Sequence, residues 1–401
     1  MKLHTKSAAA GLAGLMAAGM LLSGCGTNGK ATAIQVNDDV ITAGEANFFL
    51  RYQQAQSTYM MQQYGMYQSG GTLWDTDYTA SSDSSVSTYG DSLKDSAEQT
   101  LVQNMCLKQH ASDYNVKLSA DLESALDTAA EKTYSENEET MKKLGTSEED
   151  IRNVLELTSY QSLLYDPMTA DVDTNVSDEE AQQTTVTYAR INLTKQDDNG
   201  DTVSVDDAAK ETYKTTMEEL LKEIQNADDP ATADIAALAK ALDSDNIVSS
   251  SVSYGKDDTT LPDAVREAAA DLQDGEVYDG VIDTGDYYYI IRVDAVLDRD
   301  ATDTKKNSIV ADRKQQAYDA LLKTWTDAAD VTLTKAWEKL KVTDKDGYTV
   351  YVAPTDTASQ SDSAASSSST AEDTTSVSSG SNAESMTAVS GSSTDGATSA
   401  S

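Results

Sequence analysis

The chain runs to 401 residues and carries 68 Asp and Glu against 30 Lys and Arg, a formal charge of -38. A field of that sign repels phosphates, so nucleic acid is excluded as a partner and a strongly solvated surface is expected. The length leaves room for two ordinary domains, and with two Phe and three Trp their cores must be built from Leu, Ile, Val, Met, Ala and Tyr.

Lys2 and Lys6 precede an apolar stretch, Ala8 to Leu22, in the layout of a secretory signal peptide. The stretch falls short of the roughly 20 residues that cross hydrocarbon, which weighs against an uncleaved transmembrane helix. Leu22-Ser23-Gly24-Cys25 resembles the bacterial lipobox. That resemblance implies cleavage before Cys25 and a diacylglyceryl thioether on its sulfur, with acyl chains holding the mature protein at the membrane. Residues 1–24 are therefore expected to be signal peptide and 25–30 a lipidated linker, and the expected location is the extracytoplasmic face of a bacterial cell membrane. Cys106 is then the one remaining thiol, so no intramolecular disulfide is expected. Among Leu101, Met105 and Leu107 it reads as a small buried hydrophobe.

Ala33 to Val36 reads as a short strand, followed by a turn at Asn37-Asp38-Asp39 and by Val40-Ile41. Thr42 and Glu45 have the spacing of a capping box and open a helix whose apolar face holds Phe48, Phe49, Tyr52, Tyr59 and Met60. Ala80 to Thr88 is a Ser/Asp-rich loop. A second helix runs from Ser92 to Tyr114, with Leu93, Ala97, Leu101 and Met105 at i+4 spacing and Asn115 suited to a left-handed stop. Ser119 to Lys132 and Ser147 to Tyr165 read as further helices, the latter capped by Ser147 with Glu148, Glu149 and Asp150 at the positive end of its dipole.

The pattern changes after Ser177. Val186 to Leu193 alternates as a strand, Asp197-Asp198-Asn199-Gly200 is a turn, and Asp206 to Ile224 is an amphipathic helix. Ile235 to Leu242 and Asp263 to Leu272 are shorter helices. Val277 to Ile282 and Tyr287 to Val293 flank the turn Asp283-Thr284-Gly285-Asp286 and predict a hairpin. A last long helix, Lys305 to Ala329, sets Ala317, Leu321 and Trp325 on one side. A small helix at Lys335 to Leu340 precedes a hairpin around Asp346-Gly347. From Pro354 to Ser401 the composition collapses to Ser, Thr, Ala, Gly and acidic residues, too little apolar surface to offset the entropy of ordering, so 354–401 is predicted to be a disordered tail.

Several short segments carry a resemblance by their order and spacing: IQVNDDVITAGE at 34–45, YNVKLSAD at 114–121, GTSEEDIR at 145–152 and VDTNVSDEE at 172–180. Further along stand TYARINL at 187–193, DIAALAKAL at 234–242, LPDAVREAAADLQDGEV at 261–277 and GDYYYIIRV at 285–293. Together they are similar to the extracytoplasmic foldases of the PrsA and SurA type. The resemblance implies an α+β fold: a helical, SurA N-terminal-like chaperone domain of residues 31–183 plus 298–353, with a small parvulin-like α/β domain inserted at 184–297. It implies unfolded or nascent secreted proteins as partners and peptidyl-prolyl isomerase (rotamase) ancestry for the insert. No cofactor and no metal are expected.

Parvulins carry one histidine in the first strand and another in the last, and the matching positions here are Arg190 and Tyr289. His4 and His110 are the chain's two histidines, so that dyad cannot form. The aromatic that walls the proline pocket falls at Ala264, and Asp245 falls near the usual Cys/Asp position. Isomerising an X-Pro bond lowers a torsional barrier of about 18 to 20 kcal/mol and needs no nucleophile, so enzymatic activity stays open, with little or none expected. Tyr287, Tyr288 and Tyr289 also read as alternating strand residues that pack a sheet. Arg190 reads equally as a surface or ion-paired residue or as a substrate contact, and His110 as structural, without visible partners. The acidic turns Asp197 to Asp201 and Asp344 to Gly347 lack calcium-loop spacing and read as turns. The leading expectation is a membrane-anchored chaperone. Its rivals are an active isomerase and a solute-binding lipoprotein, whose two α/β lobes suit poorly a chain with so few early strands.

Overall fold

A computed structural model describes residues 28–65, 72–78, 88–197 and 200–344. The signal segment, Cys25, the Ser/Asp loop up to Ser87, the hairpin at Asp346-Gly347 and the tail lie outside the described residues. The architecture is α+β, as the sequence predicts. The chain divides into two compact units, one of residues up to Met168 together with those from Leu321 onward, the other Thr169–Ala320.

The first unit begins with β1 (Thr32–Val36) and β2 (Asp39–Thr42), paired antiparallel. Asn37 turns between them at φ 54°, a left-handed conformation that a short polar side chain tolerates. The predicted capping box forms: the Glu45 N–H donates to the Thr42 hydroxyl at 3.1 Å and the Thr42 N–H to the Glu45 carboxylate at 2.7 Å. It starts α1 (Ala43–Gln63). The next helix, α2 (Tyr89–His110), starts ahead of the predicted Ser92 because Thr88 and Asp91 make a second capping box. A 3-10 turn, Ala111–Tyr114, follows and ends at left-handed Asn115. Ser119 caps α3 (Ala120–Glu136). Helix α4 (Glu138–Leu144) is absent from the sequence reading, because with Met141 and Leu144 as its buried residues it is too short to display a period. The Ser147 and Asp150 side chains cap each other's backbone N–H groups at the start of α5 (Glu148–Met168). Phe49, Leu101, Met141, Ile151 and Val154 meet in one core, which also holds Cys106. Burial pushes the Cys106 thiol up in pKa, as suits an inert core residue.

In the second unit, α6 (Asp178–Ala181) leads into β3 (Thr184–Asn192). A small hairpin, β4 (Thr194–Gln196) and β5 (Thr202–Ser204), surrounds the predicted acidic turn. Asp206 caps α7 (Asp207–Gln225), and α8 (Ile235–Asp243) follows. Then come β6 (Ile247–Tyr254), α9 (Asp263–Ala269), β7 (Ile282–Asp283), β8 (Tyr287–Ala295) and α10 (Arg299–Ala328). The antiparallel sheet has the order β6-β3-β8-β7. Strand β6 escaped the sequence reading because four serines in IVSSSVSY blunt its pattern and it forms the sheet edge. The predicted hairpin is corrected: Val277 bridges Arg292 and Ile282 pairs with Tyr289, so the first arm loses register between them. There the Gly280 N–H turns back onto the Tyr278 carbonyl at 3.0 Å, leaving only Ile282 and Asp283 as a strand.

Side chains alternate across this sheet. Ala189, Ile191, Tyr288 and Ile290 pack with Met217 and Leu220 of α7 and with Ile235 of α8. On the other face Val186, Ile291 and Val293 pack with Leu261 and with Val265 and Ala269 of α9. Helix α10 starts before the predicted Lys305 because Asp298 caps it, accepting from the Ala301 N–H at 2.9 Å and from the Thr185 hydroxyl at 2.6 Å. Asp178 accepts from both Arg299 and Lys306, and Glu180 from Arg313 at 2.6 Å.

Beyond α10, β9 (Val331–Leu333) pairs antiparallel with β1, giving the sheet order β2-β1-β9 in the first unit. Helix α11 (Lys335–Lys339) then buries Trp337, whose indole N–H donates to Glu98 at 2.9 Å while the Lys94 ammonium lies 5.2 Å from its ring centroid. His110 has partners after all, in contrast to the sequence reading. Its ring stacks on Trp325 at 4.2 Å and Nδ1 lies 2.8 Å from Asp113. Among the described residues no helix is long and apolar enough to cross a membrane.

Two consequences are measurable. Trp337→Ala removes a core residue that the chain delivers only after its long excursion, and it should lower stability by about 3 to 5 kcal/mol, read as a fall in the denaturation midpoint of helical circular dichroism. Asp178 is held down by Lys306 and Arg299, from an ordinary 3.8 to about 2. A carboxylate depressed in the folded state stabilises above its unfolded pKa, and that contribution fades as pH falls through the folded value. Asp178→Asn should therefore flatten the loss of stability on acidification below the ordinary carboxylate pKa, in a comparison of wild-type and variant midpoints against pH.

Candidate functional site

Strands β3 and β8 set Arg190 opposite Tyr289. Extending the row across the sheet gives Val248 on β6, Arg190, Tyr289, then Ile282 on β7. By alternation these residues share the face that α9 partly covers. Arg190 Nη1 donates to the Tyr289 hydroxyl at 3.3 Å. Its guanidinium carbon lies 4.6 Å from the Tyr287 ring centroid and 5.9 Å from that of Tyr188. The Tyr289 ring is 5.6 Å from Tyr188 and 5.9 Å from Tyr287. A guanidinium over aromatic faces gains about 0.5 to 2 kcal/mol depending on desolvation, so the Tyr188 and Tyr287 rings and the Tyr289 hydroxyl hold the cation in place.

The electrostatics fix both protonation states at neutral pH. Burial pushes the Tyr289 phenol up, more than the adjacent Arg190 cation pulls it down, so it stays neutral. Desolvation opposes the Arg190 charge, but the hydrogen bond to Tyr289 and the neighbouring phenols outweigh it, and its pKa rises. A fixed cation and a neutral phenol thus occupy the positions where the resemblance places two titratable imidazoles. They can hydrogen-bond to a ligand, but they have no proton to exchange near neutral pH.

The other two expected groove residues fare differently. Ala264, half-buried on α9, packs into the apolar cluster of this same face. Tyr254 and Tyr278 join that cluster, so its aromatic surface comes from tyrosines. Asp245 lies exposed on the loop between α8 and β6, where its N–H donates to Asp243 at 3.1 Å and its carboxylate accepts from the Ser244 hydroxyl at 3.4 Å. It makes no contact with Arg190 or Tyr289 among the described residues. Tyr188 and Val248 were missed. Tyr188 lies two positions before Arg190, so strand periodicity places it on the same face, whereas Val248 required recognition of β6.

The first unit has a hollow of about 140 Å³ beside Val40, Met105, Lys108 and Leu157, with Glu45 in its wall. Burial raises the Glu45 pKa, and its carboxylate is occupied by the Thr42 N–H and by Asn153 at 2.8 Å. The first bond belongs to the helix cap, and the second ties α1 to α5. Among the described residues no group of His, Cys, Asp and Glu is placed to hold a metal ion.

Residues 176–305 match the family model of the PPIC-type PPIASE domain, a rotamase. Among solved structures, the chain is similar to the foldase protein PrsA from Streptococcus pneumoniae, at 17% identity over 62% of this chain and 88% of that one, with a TM-score of 0.27. It is also similar to the PrsA peptidylprolyl isomerases from Bacillus cereus (14% identity, 68% and 95% covered, TM-score 0.25) and Bacillus anthracis (15% identity, 58% and 94% covered, TM-score 0.20). A search of curated proteins finds no match. The second unit contains a PPIC-type rotamase domain, as the resemblance implied.

Proposed function

We propose that the protein is a membrane-anchored extracytoplasmic foldase that holds unfolded or nascent secreted chains, its rotamase domain retaining little or no isomerase activity. The observation that carries this reading is the Arg190–Tyr289 contact inside the matched rotamase domain, at the two positions where the resemblance places histidines. Rotation about an X-Pro bond is accelerated only by interactions stronger in the twisted amide than in the planar one. With Ala264 where a pocket ring is expected, the groove encloses a proline ring poorly and water is not excluded. Binding of extended apolar chain depends on the tyrosine-rich face and survives that loss. The anchoring part rests on the basic and apolar leader and on Leu22-Ser23-Gly24-Cys25.

The purified protein should suppress aggregation of an unfolded client while accelerating isomerisation of a proline peptide little above background. Turnover matching a parvulin with both histidines, abolished by Tyr289→Phe, would instead make the protein an active isomerase. For the anchor, metabolic labelling with a fatty acid should mark the wild type and fail to mark Cys25→Ser. Equal labelling of both would remove the lipid assignment.

A further inference from the structure

The geometry points to Arg190 as a carboxylate anchor within the client-binding face, a role that rests on the reading of that face just given. The chain's other arginines set the contrast. Arg152, Arg266, Arg292, Arg299 and Arg313 each meet an Asp or Glu, and Arg51 is buried with its N–H groups donated to Gln54 and to the Lys341 carbonyl. Arg190 meets no acid among the described residues, and the neighbours that act on its charge are tyrosines. In a chain with 68 acidic residues, lack of a nearby acid is not a shortage of acids. The face itself is built without one.

What surrounds Arg190 is suited to an acceptor ligand. Tyr287 and Tyr188 lie against the guanidinium, and Tyr289 takes one N–H, which fixes the orientation of the fork. The remaining N–H groups have no partner among the described residues, and none is sealed from solvent. A half-buried guanidinium with open N–H groups recognises a carboxylate by paired, charge-assisted hydrogen bonds, a geometry an ammonium cannot match. On the edge strand beside it, Val248 is 55% exposed and directly opposite Arg190 in the ladder. The ligand that fits both is an extended peptide with a carboxylate next to an apolar side chain. That carboxylate comes from Asp or Glu within the segment or from a chain terminus.

The overall charge sets the kind of segment. A field of -38 repels acidic chains at long range, but it is screened beyond about 8 Å at physiological ionic strength. The anchor therefore works at contact distance and favours a single carboxylate in an otherwise neutral or basic segment. Tyr289 is a positioning residue here, since it acts through the orientation of Arg190.

The test uses the full chain and three fluorescent peptides of one apolar sequence, read by anisotropy: one with a central Glu and amidated terminus, its Gln counterpart, and the Gln peptide with a free terminus. The Glu peptide should bind about tenfold tighter than its Gln counterpart, as a charge-assisted bond implies. Arg190→Met should abolish that preference, the Glu and Gln peptides then binding equally, and a circular dichroism spectrum and denaturation midpoint matching the wild type report that the variant is folded. Arg190→Lys should keep part of it, and Tyr289→Phe should weaken it. A gain for the free-terminus peptide instead of the Glu peptide supports the anchor and identifies the terminus as its ligand. Equal affinities for all three peptides, or a preference that survives Arg190→Met, overturns the proposal while the client-holding function stands if aggregation is still suppressed. Binding of no peptide together with no protection of a client overturns both.

Discussion

Strand β1 pairs on one side with β2, its sequence neighbour, and on the other with β9, which arrives only after the chain has run through the whole second unit. The Asn37 N–H donates to the Asp330 carbonyl at 2.8 Å, the Asp330 N–H to the Asn37 side chain at 2.9 Å, and the Thr334 hydroxyl to the Thr32 carbonyl at 2.6 Å. These bonds tie the first residues of the fold to the last described ones. Trp337 and the bond from Arg51 to the Lys341 carbonyl extend the same attachment into the core. Once those ends are joined, Thr169–Ala320 is a closed excursion. The entropic cost of closing a loop rises only slowly with its length, so a domain can fold within it.

In the excursion the central pair β3–β8 does the corresponding work. Its alternation sends one set of side chains under α7 and α8 into a closed apolar core and the other toward α9. On the edge strand of that second face, opposite Arg190, Val248 is exposed. A polar group can be held there by rings without being sealed, which is the condition for a binding surface.

The acidic excess also has a structural use. Glu45, Asp91, Asp206, Asp234 and Asp298 all accept backbone N–H groups at helix starts. Such caps satisfy donors that the helix leaves unpaired and place negative charge at the positive end of its dipole. Part of the negative charge is thus tied to secondary structure, while the basic junction of α6 with α10 gathers carboxylates as ion pairs. The face around Arg190 stands out against that background.

Sequence alone was enough wherever the deciding bonds span a few residues. The capping box of Thr42 and Glu45, the stop at Asn115 and the cap at Ser147 are visible in short windows because each N–H finds its acceptor within three or four positions, and the alternation of β3 is visible because its side-chain period is two. The motif order likewise pointed to a rotamase domain and marked Arg190 and Tyr289 as altered positions. Tertiary structure decided what depends on distant partners. Strand β6 becomes a strand by pairing with β3 despite its serines, β9 by pairing with β1, and the arm at 277–281 fails to continue as a strand because Gly280 turns it. His110 gains Trp325 only when the last helix returns. The tyrosines around Arg190 converge from two strands separated by nearly the whole domain, and no local periodicity encodes which side chains a long-range ladder sets side by side.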